Sequence, residues 1–274
     1  MATRERRSSS RADPGLGTAA PARRPQAATP ALRPGRAHRV RVYVGLGANL
    51  GDAAGTLAAG THALAALPGV RLAGVSRLYA TKPVGVADQP EFHNAVVALD
   101  VPAGPDPGTG ALALLIALKM VERAFGRQAR ERWGPRELDL DLLVFGRHPI
   151  HIERPAAALS DDPAKPAVQW LQVPHASARE RLFVLAPLAD LAPGLCPPGW
   201  GETVATARSR AEVREGPDAA RAIATWDPGR AGWTARAAEV DDRLVDDDGQ
   251  VSPQAVVEGR ADRARPSAGS AAGP

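Results

Sequence analysis

The sequence predicts an α+β fold: an antiparallel sheet with packed helices, flanked by disordered tails. Three observations predict it. Apolar residues in the middle of the chain switch between a strand period and a helix period in the order β-α-β-β-α-β. Hydrophobic residues make up 44% of the 274, enough for a core, while 27 Gly and 26 Pro leave room for long stretches without one. Charge is divided unevenly. Residues 1–40 hold nine Arg against Glu5 and Asp13, residues 41–193 balance fifteen basic against fifteen acidic, and residues 194–274 carry ten basic against thirteen acidic.

The elements follow in order. Residues 42–47 (VYVGLG) are β-branched and apolar and end in glycines, which reads as a buried strand. Asn49-Leu50-Gly51-Asp52 makes a turn, and Asp52 can cap a helix over 53–67 whose Leu57, Leu64 and Leu67 share a face. Pro68-Gly69 stops it, and 70–79 alternates as a second strand. A loop over 82–90 leads to a third strand, 92–101, and a second loop, 102–110, leads to an amphipathic helix over 111–125, stopped by Gly126. A basic loop precedes a strand at 137–145, with a partner at 149–153. This order is the ferredoxin-like βαββαβ pattern, with two helices expected on one face of the sheet. Residues 154–168 read as an insertion, 182–191 as a last helix, 194–226 as a peripheral segment and 227–274 as a flexible tail.

The net charge of +4 and isoelectric point near 9.8 invite a nucleic-acid reading, but the excess belongs to the leader, not the body. That leader is Pro-, Ala-, Ser- and Arg-rich without apolar periodicity, so it is expected to be disordered. An organelle transit peptide and a translation start nearer Val40 or Val42 are alternative readings of it. Nowhere does an apolar run approach the ~18 residues of a transmembrane helix, and no secretory h-region is present. A single cysteine, Cys196, excludes an internal disulfide and a Cys-based zinc cluster and fits a reducing cytoplasm.

Three constellations could carry chemistry. Gly45-Leu46-Gly47-Ala48-Asn49-Leu50-Gly51 after a strand could cradle a phosphate, although a tight strand–helix turn with no ligand role explains it better. The second is sharper. In Arg132-Trp133-Gly134-Pro135-Arg136-Glu137-Leu138-Asp139-Leu140-Asp141-Leu142-Leu143, strand alternation turns the leucines one way and Asp139 and Asp141 the other. Two neighbouring carboxylates repel unless a cation lies between them, and Mg²⁺ typically takes one or two carboxylates plus substrate phosphates. Upstream, Lys119, Arg123, Arg127, Arg130, Arg132 and Arg136 face only Glu122 and Glu131, which suits a nucleoside triphosphate. The bland alternative is a solvated basic loop beside an ion-paired strand. Third, Val173-Pro174-His175 is followed by Arg179, Arg181 and Phe183, which suits an anion about as well as a structural histidine.

With these motifs in view, the chain resembles the 6-hydroxymethyl-7,8-dihydropterin pyrophosphokinase family. The 132–143 segment is similar to the family signature, and Val44 to Asp52 to its opening strand and turn. Tyr79 to Gly85 and Asp88 to Ala95 resemble its pterin-side segment, and Val173 to Leu188 its last block. The resemblance covers about 42–193 in the family's order. It implies transfer of pyrophosphate from ATP, the co-substrate, to the pterin hydroxymethyl group, with AMP released in tetrahydrofolate biosynthesis. It implies two Mg²⁺, with Asp139 and Asp141 as ligands, and catalytic roles for these two with Arg127 and Arg136. Lys119, Glu122, Arg130, Leu142, His175 and Arg181 would bind ATP. Thr81, Val84, Phe92, Asn94, Trp133 and Phe183 would bind the pterin, the two phenylalanines sandwiching its ring. Neighbouring folate-pathway enzymes are candidate partners; no nucleic acid or membrane is expected. Lys82, Lys119, Ala176 and the long 154–168 segment depart from the family pattern. Two competing readings are an Mg-dependent nucleotidyltransferase, which would release pyrophosphate, and a nucleic-acid-binding module led by the Arg-rich leader, whose binding would fall steeply with salt.

Overall fold

The structure, a computed structural model, describes residues 38–83, 89–126, 136–160 and 165–235. Its centre is β1 (Arg39–Ala48), whose Val40, Val42, Val44 and Leu46 are buried on one face. Gly51 follows with a φ of 55°, a left-handed conformation that costs glycine little, and closes the turn. Asp52 then caps α1 (Ala53–Ala65) as expected, its carboxylate accepting from the Gly55 amide at 2.9 Å.

The second expected strand is broken. β2 (Arg71–Val75) and β3 (Leu78–Thr81) both pair with β4 (Phe92–Pro102), on successive stretches. Ser76 makes the break: its amide donates to Val96 O at 3.0 Å and its hydroxyl accepts from Val96 N at 2.9 Å. A hydroxyl that stands in for a ladder carbonyl is invisible to a pattern of apolar alternation. α2 (Pro107–Ala124) starts four residues before the expected helix. Asp106 caps it by accepting from Thr109 N at 2.9 Å and Pro107 occupies the first turn, where a missing N–H costs nothing.

β5 (Asp139–Phe145) pairs with β1, and β6 (Ile150–Glu153) pairs with β7 (Trp170–Val173) in a separate two-stranded ribbon. α3 (Leu182–Leu191) has the expected bounds. α4 (Val204–Glu215), β8 (Ala220–Asp227) and β9 (Gly232–Ala235) were not expected; β9 lies where the flexible tail was expected to have begun. All strand pairs are antiparallel, and the main sheet runs β5-β1-β4-β3-β8-β9, with β2 beside β4.

The sheet is covered on both faces, not on one. α1 and α2 share a core with Val42, Val44, Leu46, Val97, Leu99, Leu138, Leu140 and Leu142. Side chains of α3 and α4 form a second core with Tyr43, Tyr79, Val96, Ala98 and Leu143. Each fully buried leucine contributes roughly 1.5–3 kcal/mol. Asp190 ties α3 to the sheet by accepting from the Arg77 guanidinium at 2.6 Å and the Tyr79 hydroxyl at 3.0 Å. Burial first, and the Asp190 charge second, raise that hydroxyl's pKa to about 12. At the far edge Trp233 donates to Ser76 O at 2.9 Å and packs edge-on against Trp226 at 4.8 Å, so the β8–β9 ribbon braces the β2–β3 break.

Candidate active site

Strand register places the site. Asp139 of β5 stands opposite Gly47 of β1, and Gly47 stands opposite Asn94 of β4; Asp141 stands opposite Gly45 in the next like-facing row. Opposed residues share a face, so Asp139, Asp141 and Asn94 all project on the side away from α1 and α2. Between them β1 offers only glycines. A Cβ on Gly47 would stand 3.2 Å from Asn94 Oδ1. The central strand therefore carries no side chain between the carboxylate pair and Asn94. Asp139 and Asn94 are two strand spacings apart, about 10 Å.

Both aspartates are part-exposed while Leu138, Leu140 and Leu142 are buried, as the alternation required. Arg136 forms an ion pair with Asp139, which holds that carboxylate from the segment leading into β5. Among the described residues, no group of three or more His, Cys, Asp or Glu gathers as a metal cage. Two carboxylates on one strand face do fit Mg²⁺, which completes its octahedron with phosphate oxygens and water. They do not fit a structural zinc, which takes four protein ligands.

One flank is cationic and carries Lys119 and Glu122 of α2. Glu122, 1% exposed, accepts from Lys119 Nζ through both oxygens at 2.8 and 2.9 Å and from Leu140 N at 2.7 Å. The pair thus fastens α2 to the outer edge of β5, beside Asp139 and Asp141. Arg154, at the end of β6, joins this flank. Burial pushes its pKa down, and the Asp141 and Glu122 carboxylates pull it back up. His175 is held to the same strand, its amide donating to Leu143 O at 2.9 Å at the point where β5 bulges against β1. Arg181 lays its guanidinium over the Phe183 ring, 5.5 Å from the centroid.

The other flank is neutral. Asn94 and Thr81 are buried, and Asn94 Nδ2 donates to Thr81 Oγ1 at 2.8 Å, leaving Asn94 Oδ1 directed toward Gly47. Phe92 opens β4 part-exposed, and Phe183 lies in the first turn of α3, which packs across β4. Between Phe92 and Asn94, His93 turns to the opposite face. Its Nδ1 is buried without a hydrogen-bond partner among the described residues, and burial lowers its pKa against the opposing pull of Glu91 and Asp52.

Arg136, Asp139, Asp141, Lys119, Glu122 and His175 thus gather around β5, and Thr81, Asn94 and Phe92 around the start of β4. Leu142 does not present its side chain to the site: it is packed in the core shared with α1 and α2, so only its backbone is available. Arg127, Arg130, Trp133 and Val84 lie outside the described residues.

Comparison with known proteins decides the family. A model described as 7,8-dihydro-6-hydroxymethylpterin-pyrophosphokinase matches residues 43–193, over half of the chain. The chain belongs to this family. It is 44% identical over 155 residues to a 2-amino-4-hydroxy-6-hydroxymethyldihydropteridine pyrophosphokinase of Pseudomonas aeruginosa, covering 57% of this chain and 82% of that protein. It is 40% identical over 170 residues to one of Methylorubrum extorquens, covering 62% of this chain and 92% of that protein. Among solved structures it resembles a Plasmodium falciparum HPPK-DHPS variant with pteroate, with a TM-score of 0.53, 15% identity, and coverage of 73% of this chain but 49% of that one. That likeness shows the fold. As a member of the pyrophosphokinase family the chain is an ATP-dependent diphosphotransferase.

Sequence reasoning missed one residue that organises both flanks. Asn49, 3% exposed, accepts from Arg136 N at 2.8 Å and donates to Gln89 Oε1 at 3.1 Å and Pro90 O at 3.3 Å. Its own amide donates to Arg136 O at 3.1 Å. It therefore joins the segment before Phe92 to the entry into β5. In sequence it is a turn asparagine, and turn asparagines ordinarily bond to their own backbone.

Proposed function

We propose that the strip of β1 glycines is where the two substrates meet, with ATP on the α2–β5 flank and the pterin on the β3–β4 flank. The reaction is the family's: transfer of pyrophosphate from ATP to 6-hydroxymethyl-7,8-dihydropterin in folate biosynthesis, leaving AMP. The hydroxymethyl oxygen bonds to the β-phosphorus, the bond from that phosphorus to the α,β-bridging oxygen breaks, and AMP leaves with that oxygen. The observation that carries the reading is the row Asp139, Gly47, Asn94 across three strands.

Such transfer asks little covalent chemistry of the protein; alignment and charge supply most of the acceleration. Asp139 and Asp141 would hold Mg²⁺, two ions by the family's pattern, and a bound ion would neutralise triphosphate charge. Arg136 orients Asp139 and, with Arg127, Arg130, His175 and Arg181, meets phosphate oxygens. Lys119 and Glu122 hold β5 in place beside the nucleotide. Asn94 and Thr81 read the polar edge of the pterin, and Phe92 and Phe183 stack on its faces, with Val84 and Trp133 completing the pocket. The strand order β5-β1-β4 followed by β2 and β3 supports reading the core as ferredoxin-like. We place the enzyme in the cytoplasm, and the fused HPPK-DHPS chain of Plasmodium falciparum supports neighbouring folate-pathway enzymes as partners.

Product analysis with ATP labelled in the β-phosphate tests the reading. Label in the pterin diphosphate, with one AMP formed per pterin consumed, is expected. Label in free pyrophosphate would convert the enzyme into a nucleotidyltransferase.

A further inference from the structure

Asn49 stands in the turn between β1 and α1, yet its side chain bonds to two segments far from that turn in sequence. Its Oδ1 accepts from Arg136 N at 2.8 Å, and its own amide donates to Arg136 O at 3.1 Å. One residue thus holds both hydrogen-bonding groups of the Arg136 backbone. Its Nδ2 donates to Gln89 Oε1 at 3.1 Å and to Pro90 O at 3.3 Å, two residues before Phe92. The partners fix the orientation of the side-chain amide, because Arg136 N can only donate and Pro90 O can only accept.

The two arms end at the two flanks. Arg136 carries the ion pair to Asp139 on the α2–β5 side, and Pro90 leads through Glu91 into Phe92 on the β3–β4 side. A primary amide is planar and stiff, so a displacement of one arm is passed to the other. Asn49 is buried, so an arm that lets go leaves an unpaired polar group, which is costly. The residue type matters as much as its place. Aspartate has the same shape but no donor for Pro90 O, and leucine offers neither donor nor acceptor.

We propose that Asn49 is a positioning residue through which the two substrates strengthen each other's binding. The proposal rests on the placement of ATP on the α2–β5 flank and of the pterin on the β3–β4 flank. A pterin stacked on Phe92 holds the preceding Gln89 and Pro90, Asn49 then holds the Arg136 backbone, and Arg136 is set for the triphosphate. By linkage the nucleotide favours the pterin by the same factor. The bonds of one arm set its size, roughly fivefold.

Calorimetric titration of the full chain with the hydroxymethyl pterin, without and with α,β-methylene-ATP and Mg²⁺, tests it. That analogue cannot break at the α,β bridge, so binding is read without turnover. The ratio of the two pterin affinities is the coupling factor, expected to be about fivefold or more in wild type. Asn49→Asp keeps the acceptor for Arg136 N and loses the donor to Gln89 and Pro90; Gln89→Leu removes one partner of that arm without touching Asn49. The factor should fall toward one in Asn49→Asp and by about twofold in Gln89→Leu, while analogue affinity of the pterin-free protein stays within about twofold of wild type. A general loss of stability does not move a ratio taken within one variant, and if Asn49→Asp does not fold, Gln89→Leu decides. A factor of one in wild type, or a wild-type factor in either variant, would overturn the proposal. Asp141→Ala tells this apart from a failure of the ATP placement. Unchanged analogue affinity there overturns the placement; lost analogue affinity there, beside an unchanged factor in Gln89→Leu, overturns the proposal alone.

Discussion

Replacing Gly47 by alanine should damage the pterin side of the reaction and spare the ATP side. A Cβ on Gly47 would stand 3.2 Å from Asn94 Oδ1, too close by a few tenths of an ångström, whereas a Cβ on Gly45 would meet Leu143 carbons at 3.5 to 3.6 Å, an ordinary contact. The Asn94 amide can yield only by straining its 2.8 Å bond to Thr81 Oγ1, because both residues are buried. Losing a hydrogen bond of that kind costs about 1 kcal/mol, or roughly fivefold in affinity. Steady-state AMP release should therefore show KM for the hydroxymethyl pterin raised about fivefold in Gly47→Ala and KM for ATP within about twofold. Gly45→Ala should stay near wild type for both. The melting temperature should hold, since alanine in a strand restricts the unfolded chain more than glycine does. An unchanged pterin KM in Gly47→Ala, or equal effects at both glycines, would refute the argument that β1 is bare to make room for Asn94 and the substrate.

Two further outcomes follow from the buried polar groups. Asn49→Ala removes the acceptor for Arg136 N and the donor to Pro90 O, so urea unfolding should show a loss of about 1–3 kcal/mol, and both substrate KM values should rise because the residue joins the two flanks. A rise in only one KM would show that it serves one flank. His93, whose folded pKa lies below its unfolded value near 6.5, contributes stability that is complete above that pH and lost as the pH falls below it. Urea midpoints of wild type and His93→Leu should therefore diverge between pH 7.5 and 5.5, with wild type losing more; parallel curves would remove His93 from the acid response.

The alternation of Asp139 and Asp141 against three leucines was readable in sequence because a strand has a strict period of two. α3 was readable because an apolar run of helical length has few other solutions. The break at Ser76 was not, since there a side-chain hydroxyl replaces a backbone partner. β8 and β9 were missed because the Pro228-Gly229 turn and the weak alternation around it resemble tail composition; Trp226 and Trp233 find their contacts only across the sheet edge. Asn49 was missed for a related reason. Its hydrogen bonds join segments far apart in sequence, and it carries no local pattern.

AMP release by Asp139→Ala and Asp141→Ala at saturating Mg²⁺, ATP and pterin tests the role of the carboxylate pair most directly. With circular dichroism matching wild type, each variant should lose on the order of a thousandfold in turnover. Near-wild-type turnover in either would contradict the assignment of the metal to this strand.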